Sequence, residues 1–210
     1  MSRNQSVFIA GIVAIVAIVA GMLLARALFD RSASTQLGLA GGTLLTPPRP
    51  LPEFHLVDQD GAAFTPENLK GRWSLLFFGF THCPDVCPTT LGMLSRTEKD
   101  LADLPTDRRP HIVFVSVDPL RDTPQQIKPY VAFFSPTFTG VTGTSEAIED
   151  FTTKLGVPVV ITPASNGDYT VDHSAAIFLV DPQGALHALF SAPHDPARIA
   201  ADYRQIVEAS

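Results

Sequence analysis

The chain has 210 residues, of which 45% are hydrophobic and 17% charged. That is enough for one well-buried core with an appendage and short for two cores. Its formal net charge of −6, which becomes more negative once Arg3, Arg26, Arg31 and Asp30 near the N-terminus are set aside, argues against a nucleic-acid partner; a basic protein or a cation suits such a surface, as does plain solvation.

The apolar content is unevenly spread. From Val7 to Ala25 the sequence reads VFIAGIVAIVAIVAGMLLA without a charge, about 28 Å of helix at ~1.5 Å per residue, which matches a bilayer's hydrocarbon core. A cleaved secretory signal has a shorter apolar region, about 7–15 residues, and a core helix would show a polar face. Residues 1–30 are therefore expected to be a retained membrane anchor. The flanking charges leave its orientation open, since Arg3 precedes the span while Arg26, Asp30 and Arg31 follow it.

Residues 31–52, RSASTQLGLAGGTLLTPPRPLP, are rich in Ser, Thr, Gly and Pro without a sustained period and are expected to form a flexible linker with a reach of about 25 Å. Residues 53–210 carry the folded domain. FHLVDQDG reads as a strand entering a turn at Asp60-Gly61, and WSLLFFGF (73–80) as a central strand buried on both faces. A helical pattern runs from Pro88 to about Leu104. HIVFVSVD (111–118) is a second buried strand, TPQQIKPYVAFF has helical spacing despite Pro129, and FTGVTG (138–143) is another strand. SEAIEDFTTKLG is a helix capped by Thr144 or Ser145 and stopped at Gly156. AAIFLVD (175–181) is a buried strand, DPQGALHALF a hairpin, and DPARIAADYRQIVEA (195–209) a C-terminal helix. Alternating strands and helices that end in a hairpin and a helix predict an α/β layered domain with a mixed sheet.

The two cysteines, Cys83 and Cys87, sit four positions apart between a buried strand and a helix start. If the loop turns as a helix does, they face the same way, within reach of a disulfide or of one metal ion. Pro88 suits a first helical position, which places Cys87 near the cap, where the partial positive charge is expected to favour thiolate. Thiolate is the nucleophile of disulfide exchange and the soft donor that suits copper(I) or zinc.

Two thiolates seldom close a metal site, so a third donor is sought among the six histidines. In a thioredoxin-like sheet the cysteine-bearing strand lies beside an antiparallel one, and the beginning of the second meets the end of the first. His173 stands at such a beginning, directly before AAIFLVD. His82 adjoins Cys83, but neighbouring side chains in an extended segment point apart. His55, His111, His187 and His194 have no evident route to the pair and read as ordinary surface histidines, and Met93, a soft donor by type, reads as helix core.

At these residues the sequence closely resembles the Sco family, also called SenC. The resemblance covers nearly the whole chain and is carried by the N-terminal anchor, GRWSLLFFGFTHCPDVCPTTL (71–91), VSVDPLRDTP (115–124) and DYTVDHSAAIFLVDPQG (168–184). It implies a thioredoxin-like mixed sheet flanked by helices, with a domain outside the cytoplasm, held by a single N-terminal helix in a bacterial inner membrane and facing the periplasm. It further implies copper(I) or copper(II) bound by Cys83, Cys87 and His173, and a part in assembling the binuclear copper centre of cytochrome c oxidase subunit II, with other periplasmic copper carriers as further partners. VPVVITPASNG (157–167) is less family-like than its flanks. Asp118 and Asp172 are acidic candidates for a place near the metal, although turns and strand ends commonly carry Asp.

Three functions compete. A copper carrier passes the ion on; a thiol–disulfide oxidoreductase would use Cys83 and Cys87 catalytically to reduce oxidase cysteines through a mixed disulfide; a peroxidase would need a single cysteine beside an arginine. The lengthened CxxxC spacing favours the carrier over the oxidoreductase, and no basic residue accompanies HCPDVCP, which counts against the peroxidase.

Overall fold

A computed structural model describes residues 38–163 and 168–210, together with Ile18, Val19, Gly21 and Met22. Apart from those four, which are helical and exposed, the predicted anchor lies outside the described residues. Among the described residues no helix is long and apolar enough to cross a membrane.

The domain is built on an eight-stranded mixed sheet of strands β1 (Gly42–Pro50), β2 (Leu56–Asp58), β3 (Ala63–Phe64), β4 (Ser74–Gly79), β5 (His111–Ser116), β6 (Thr139–Thr142), β9 (Ile177–Val180) and β10 (Ala185–Phe190), in the order β1-β10-β9-β4-β5-β6-β2-β3. A separate two-stranded ribbon pairs β7 (Val159–Pro163) with β8 (Tyr169–His173). Among the described residues of this domain the α-helices are α1 (Val86–Asp100), α2 (Pro124–Phe134), α3 (Ser145–Leu155) and α4 (Pro196–Ala209).

The three central strands are the ones whose sequences are apolar on both faces, and burial explains why: every residue of β4 and β9 is buried, as is all of β5 beyond His111. Adjacent residues of β4 serve opposite layers. Phe77 packs by Phe114, which meets Tyr130 of α2, while Phe78 meets Phe151 of α3. β4 runs parallel to β5 and antiparallel to β9, with Phe77 opposite Ile177. Local signals hold as expected at the Asp60-Gly61 turn, where Gly61 has φ 80°, and around α3, where Thr144 caps the start and Gly156 closes the end with φ 81°. Pro129 lies inside α2.

One segment departs from expectation. Residues 42–50, within the stretch read as linker, form β1 and pair with β10. Composition misleads here because β1 is an edge strand, where proline is tolerated, and a register shift between Leu44 and Arg49 interrupts its pairing around Pro47 and Pro48. Its entry is fixed by Asp202 of α4, whose fully buried carboxyl accepts backbone N–H bonds from Ala40, Gly41 and Gly42, each at 2.8 Å.

At the far end of the sheet from the cysteines, His111 is largely buried rather than on the surface, with Nε2 2.8 Å from Thr139 Oγ1. Burial, with Arg72 adding repulsion, pushes its pKa down from 6.5 to about 4. Below pH 6.5 the unfolded chain takes up a proton that the folded one refuses, so this contribution to stability is full above that pH. It is lost as pH falls towards 4, by about 3 kcal/mol in total. His111→Gln should flatten the decline in urea-unfolding stability between pH 6.5 and 4; an equal slope in both proteins would show that another group governs it.

Candidate metal centre

β4 ends at Gly79, and a turn closed by the Cys83 N–H donating to the Phe80 carbonyl, 3.2 Å, leads into α1. The helix begins two residues earlier than its sequence suggests. Asp85 is the cap, Cys87 the second helical residue and Pro88 the third, a first-turn position where proline's missing N–H leaves no intrahelical bond unmade. The free N–H of Cys87 donates to Cys83 Sγ at 3.3 Å. Cys83 is partly exposed and Cys87 fully buried, and both are free thiols.

The antiparallel neighbour brings the third donor. β8 ends at His173, four residues before β9 starts at Ile177 opposite Phe77 of β4, so its imidazole returns over the cysteine turn. His173 Nε2 lies 3.4 Å from Cys87 Sγ, and Cys83 Sγ, Cys87 Sγ and the imidazole nitrogen all lie within 4.8 Å of one another. The Nδ1 atom is 2.9 Å from the Ser174 carbonyl, which can only accept, so Nδ1 donates and Nε2 is left with its lone pair towards the sulfurs. Phe77 and Phe80 wall the ring edge-on at centroid distances of 6.2 and 5.9 Å. Among the described residues no other group of three His, Cys, Asp or Glu side chains could hold a metal.

The electrostatics correct one expectation. The helix N-terminus does not leave Cys87 as a ready thiolate: burial first, then hydrogen bonding with Cys83, pushes its thiol far above the ordinary range. Burial also lowers the His173 pKa, with partial compensation from the Ser174 carbonyl and from Asp172, so the ring is held neutral. A buried thiol and a partly exposed one beside a neutral imidazole make a site that a soft cation completes by displacing protons.

Gly79 makes room for the sulfur. A Cβ there would stand 2.7 Å from the Phe114 ring and 3.0 Å from Cys87 Sγ. Gly79→Ala is therefore expected to cost about 2 kcal/mol in urea unfolding, and no change would mean that the turn shifts aside freely.

The other candidates are not among the converging donors, although His82 and Asp172 line the same cleft. His82 is half exposed, with Nδ1 3.1 Å from Thr81 Oγ1; His55 is exposed; His187 stands edge-on to Trp73; His194 Nε2 is 2.7 Å from the Ala175 carbonyl. Met93 Sδ accepts from Thr97 within α1. Asp172 is exposed beside His173. Asp118 is buried, and its oxygens are taken by Arg121 and Tyr169.

Two functional residues escaped the sequence reading. Asp122 is fully buried and accepts the Thr81 N–H at 2.8 Å and the Ser116 hydroxyl at 2.6 Å, holding the root of the cysteine turn. Arg121 is far from HCPDVCP in sequence, yet lines the same cleft as Cys83 and His173. The polar run DPLRD directly after a buried strand was the available signal for both.

Comparison with known proteins supplies the remaining context. The SCO1/SenC family model matches residues 45–208. A protein of Stutzerimonas stutzeri named as copper-binding is 43% identical over 166 residues, 78% of this chain and 79% of that one. Against several mitochondrial and rickettsial relatives the chain spans less than two thirds of their length. The copper-bound structure of Bradyrhizobium japonicum ScoI superposes with TM-score 0.67 at 38% identity, covering 74% of this chain and 98% of that one. BsSco, described as a member of the Sco family of cytochrome c oxidase assembly proteins with a disulfide switch, matches with TM-score 0.62 at 26% identity over 80% of this chain and 98% of that one.

Proposed function

The chain belongs to the SCO1/SenC family, and from that premise we propose that it is a copper chaperone that carries one copper ion on Cys83, Cys87 and His173 and delivers it during assembly of cytochrome c oxidase. The observation that carries the reading is the convergence of two sulfurs and one lone-pair nitrogen within 4.8 Å, a donor set matched to copper, on a fold shared with a copper-bound relative.

In this reading copper is cargo, and the chain's residues perform simple tasks. The turn from Phe80 to Cys87 presents both sulfurs on one side, the Ser174 carbonyl fixes the His173 tautomer, and Phe77 and Phe80 keep water from the ring. Cys83, the more exposed sulfur, is the edge from which a partner's thiol would take the ion. The recipient is the binuclear copper centre of oxidase subunit II, and the apolar run Val7 to Ala25 would hold the domain at the periplasmic face of the membrane beside it.

The same sulfurs support a second reading, reduction of the partner's cysteines, because the two free thiols stand close together and BsSco is described as having a disulfide switch. One experiment separates them. The reduced chain is loaded with copper(I), then mixed with a peptide carrying the two-cysteine motif of the recipient, once oxidised and once reduced. Copper passing to the reduced peptide with no electrons passing to the oxidised one leaves the carrier; electron transfer without metal transfer leaves the reductase. Failure to bind copper at one ion per chain would sink the main reading.

A further inference from the structure

The three candidate ligands belong to two bodies. The cysteines sit on the main sheet and its first helix, whereas His173 ends a ribbon whose strands pair only with each other. Something must set the ribbon's distance from the cysteine turn, and the loop between β5 and α2, residues 117–123, reaches both. Towards the cysteines, Asp122 holds the Thr81 backbone and accepts from Ser116, whose hydroxyl in turn accepts the Asp118 N–H at 3.1 Å. Towards the ribbon, Asp118 accepts the Tyr169 hydroxyl at 2.6 Å and Arg121 Nε at 2.5 Å. Arg121 Nη1 donates to Asp168 Oδ1 at 3.0 Å and to the Tyr169 carbonyl at 3.3 Å, while the guanidinium lies 3.9 Å over the Tyr169 ring and 5.8 Å from the Phe80 ring centroid. Tyr169 opens the strand that His173 closes.

We propose that the loop 117–123 is a clamp that sets the Cys-to-His spacing, with Arg121 as its central positioning residue and Asp118 and Tyr169 as its partners on either side. It contains no ligand, so it bears on metal affinity only by holding the ribbon in register with the cysteine turn. The planar guanidinium suits the task because it donates to two groups while stacking on an aromatic face. This inference rests on the copper reading for its consequence, but the clamp itself is testable without metal.

The test compares wild type, Arg121→Gln and Tyr169→Phe as full-length chains, first reduced and metal-free. Hydrogen exchange of peptides covering β8 should quicken about tenfold in R121Q and about fivefold in Y169F, with peptides covering β4 unchanged. Copper affinity should then fall about ten- to a hundredfold in R121Q, the range that follows loss of an outer hydrogen-bond partner, and the copper(II)–thiolate absorption should shift. Unchanged exchange in β8, or a parallel rise in β4 that signals general destabilisation, overturns the clamp. Y169F removes a single oxygen and keeps the test open if R121Q does not fold. A wild type that binds no copper defeats the functional reading alone, since the exchange comparison still decides the clamp.

Discussion

Cys87→Ala is expected to reduce copper affinity by more than the hundredfold that follows loss of an outer hydrogen-bond partner, to weaken and shift the copper(II)–thiolate absorption, since only the Cys83 sulfur remains, and to leave the fold nearly intact. Its sulfur stands 3.4 Å from His173 Nε2 and is fully buried, so no neighbouring water replaces it. The cost in stability should be only about 1 kcal/mol, because a small group is removed from a closed site. His173→Ala is the informative companion. It leaves two sulfurs, which copper(I) accepts as a pair, and it removes the nitrogen that copper(II) prefers. Copper(II) binding should therefore suffer more than copper(I) binding. In wild type, affinity should also fall as the pH drops, because the buried Cys87 thiol holds its proton well above the ordinary range and the metal must displace it. Competition titrations for each oxidation state check all three outcomes. Equal affinity of wild type and H173A for both ions would remove His173 from the site.

Asp122→Ala should be the most damaging substitution outside the candidate ligands. The carboxyl is fully buried and serves Thr81 and Ser116 at once, so truncation leaves a part-buried backbone N–H and a buried hydroxyl without it. Each unsatisfied group costs about 1–3 kcal/mol, and the sum, roughly 4 kcal/mol, corresponds to a fall in Tm of about 10 °C for a domain of this size. Since Thr81 lies two residues before Cys83, the cysteine turn should loosen as well, and the variant's thiols should react faster with a disulfide reagent under conditions where it is still folded. D122N keeps one acceptor and should recover part of the stability. A D122A variant with wild-type Tm would show that water takes over both bonds and that Asp122 does not hold the turn.

The residues explain which parts of this molecule were legible beforehand. The runs LLFF, IVFV and IFLV mark the central strands because a strand covered on both faces cannot afford polar positions. Gly61 and Gly156 mark ends of elements through their left-handed backbone. The start of α1 was misplaced because Pro88 fits more than one first-turn position, and β1 was missed because an edge strand tolerates the prolines and small residues that also compose linkers. Asp122 and Arg121 carry only the weak signal of a polar run directly after a buried strand. A buried carboxyl and a cleft-lining guanidinium are distinguished from surface charges only by what the fold places around them.

By itself, the sequence determined the domain's layered class, the pairing of Cys83 with Cys87 in one turn, and the candidacy of His173, because these follow from spacing and local pattern. Tertiary structure alone decided that the imidazole nitrogen stands 3.4 Å from a sulfur with its lone pair available, that burial rather than a helix terminus governs the Cys87 thiol, and that one ligand-free loop holds both halves of the site. The reason is range: periodicity and turn chemistry act over a few residues, whereas desolvation and the contacts joining residue 83 to 173, or 121 to 169, exist only once distant segments are packed together.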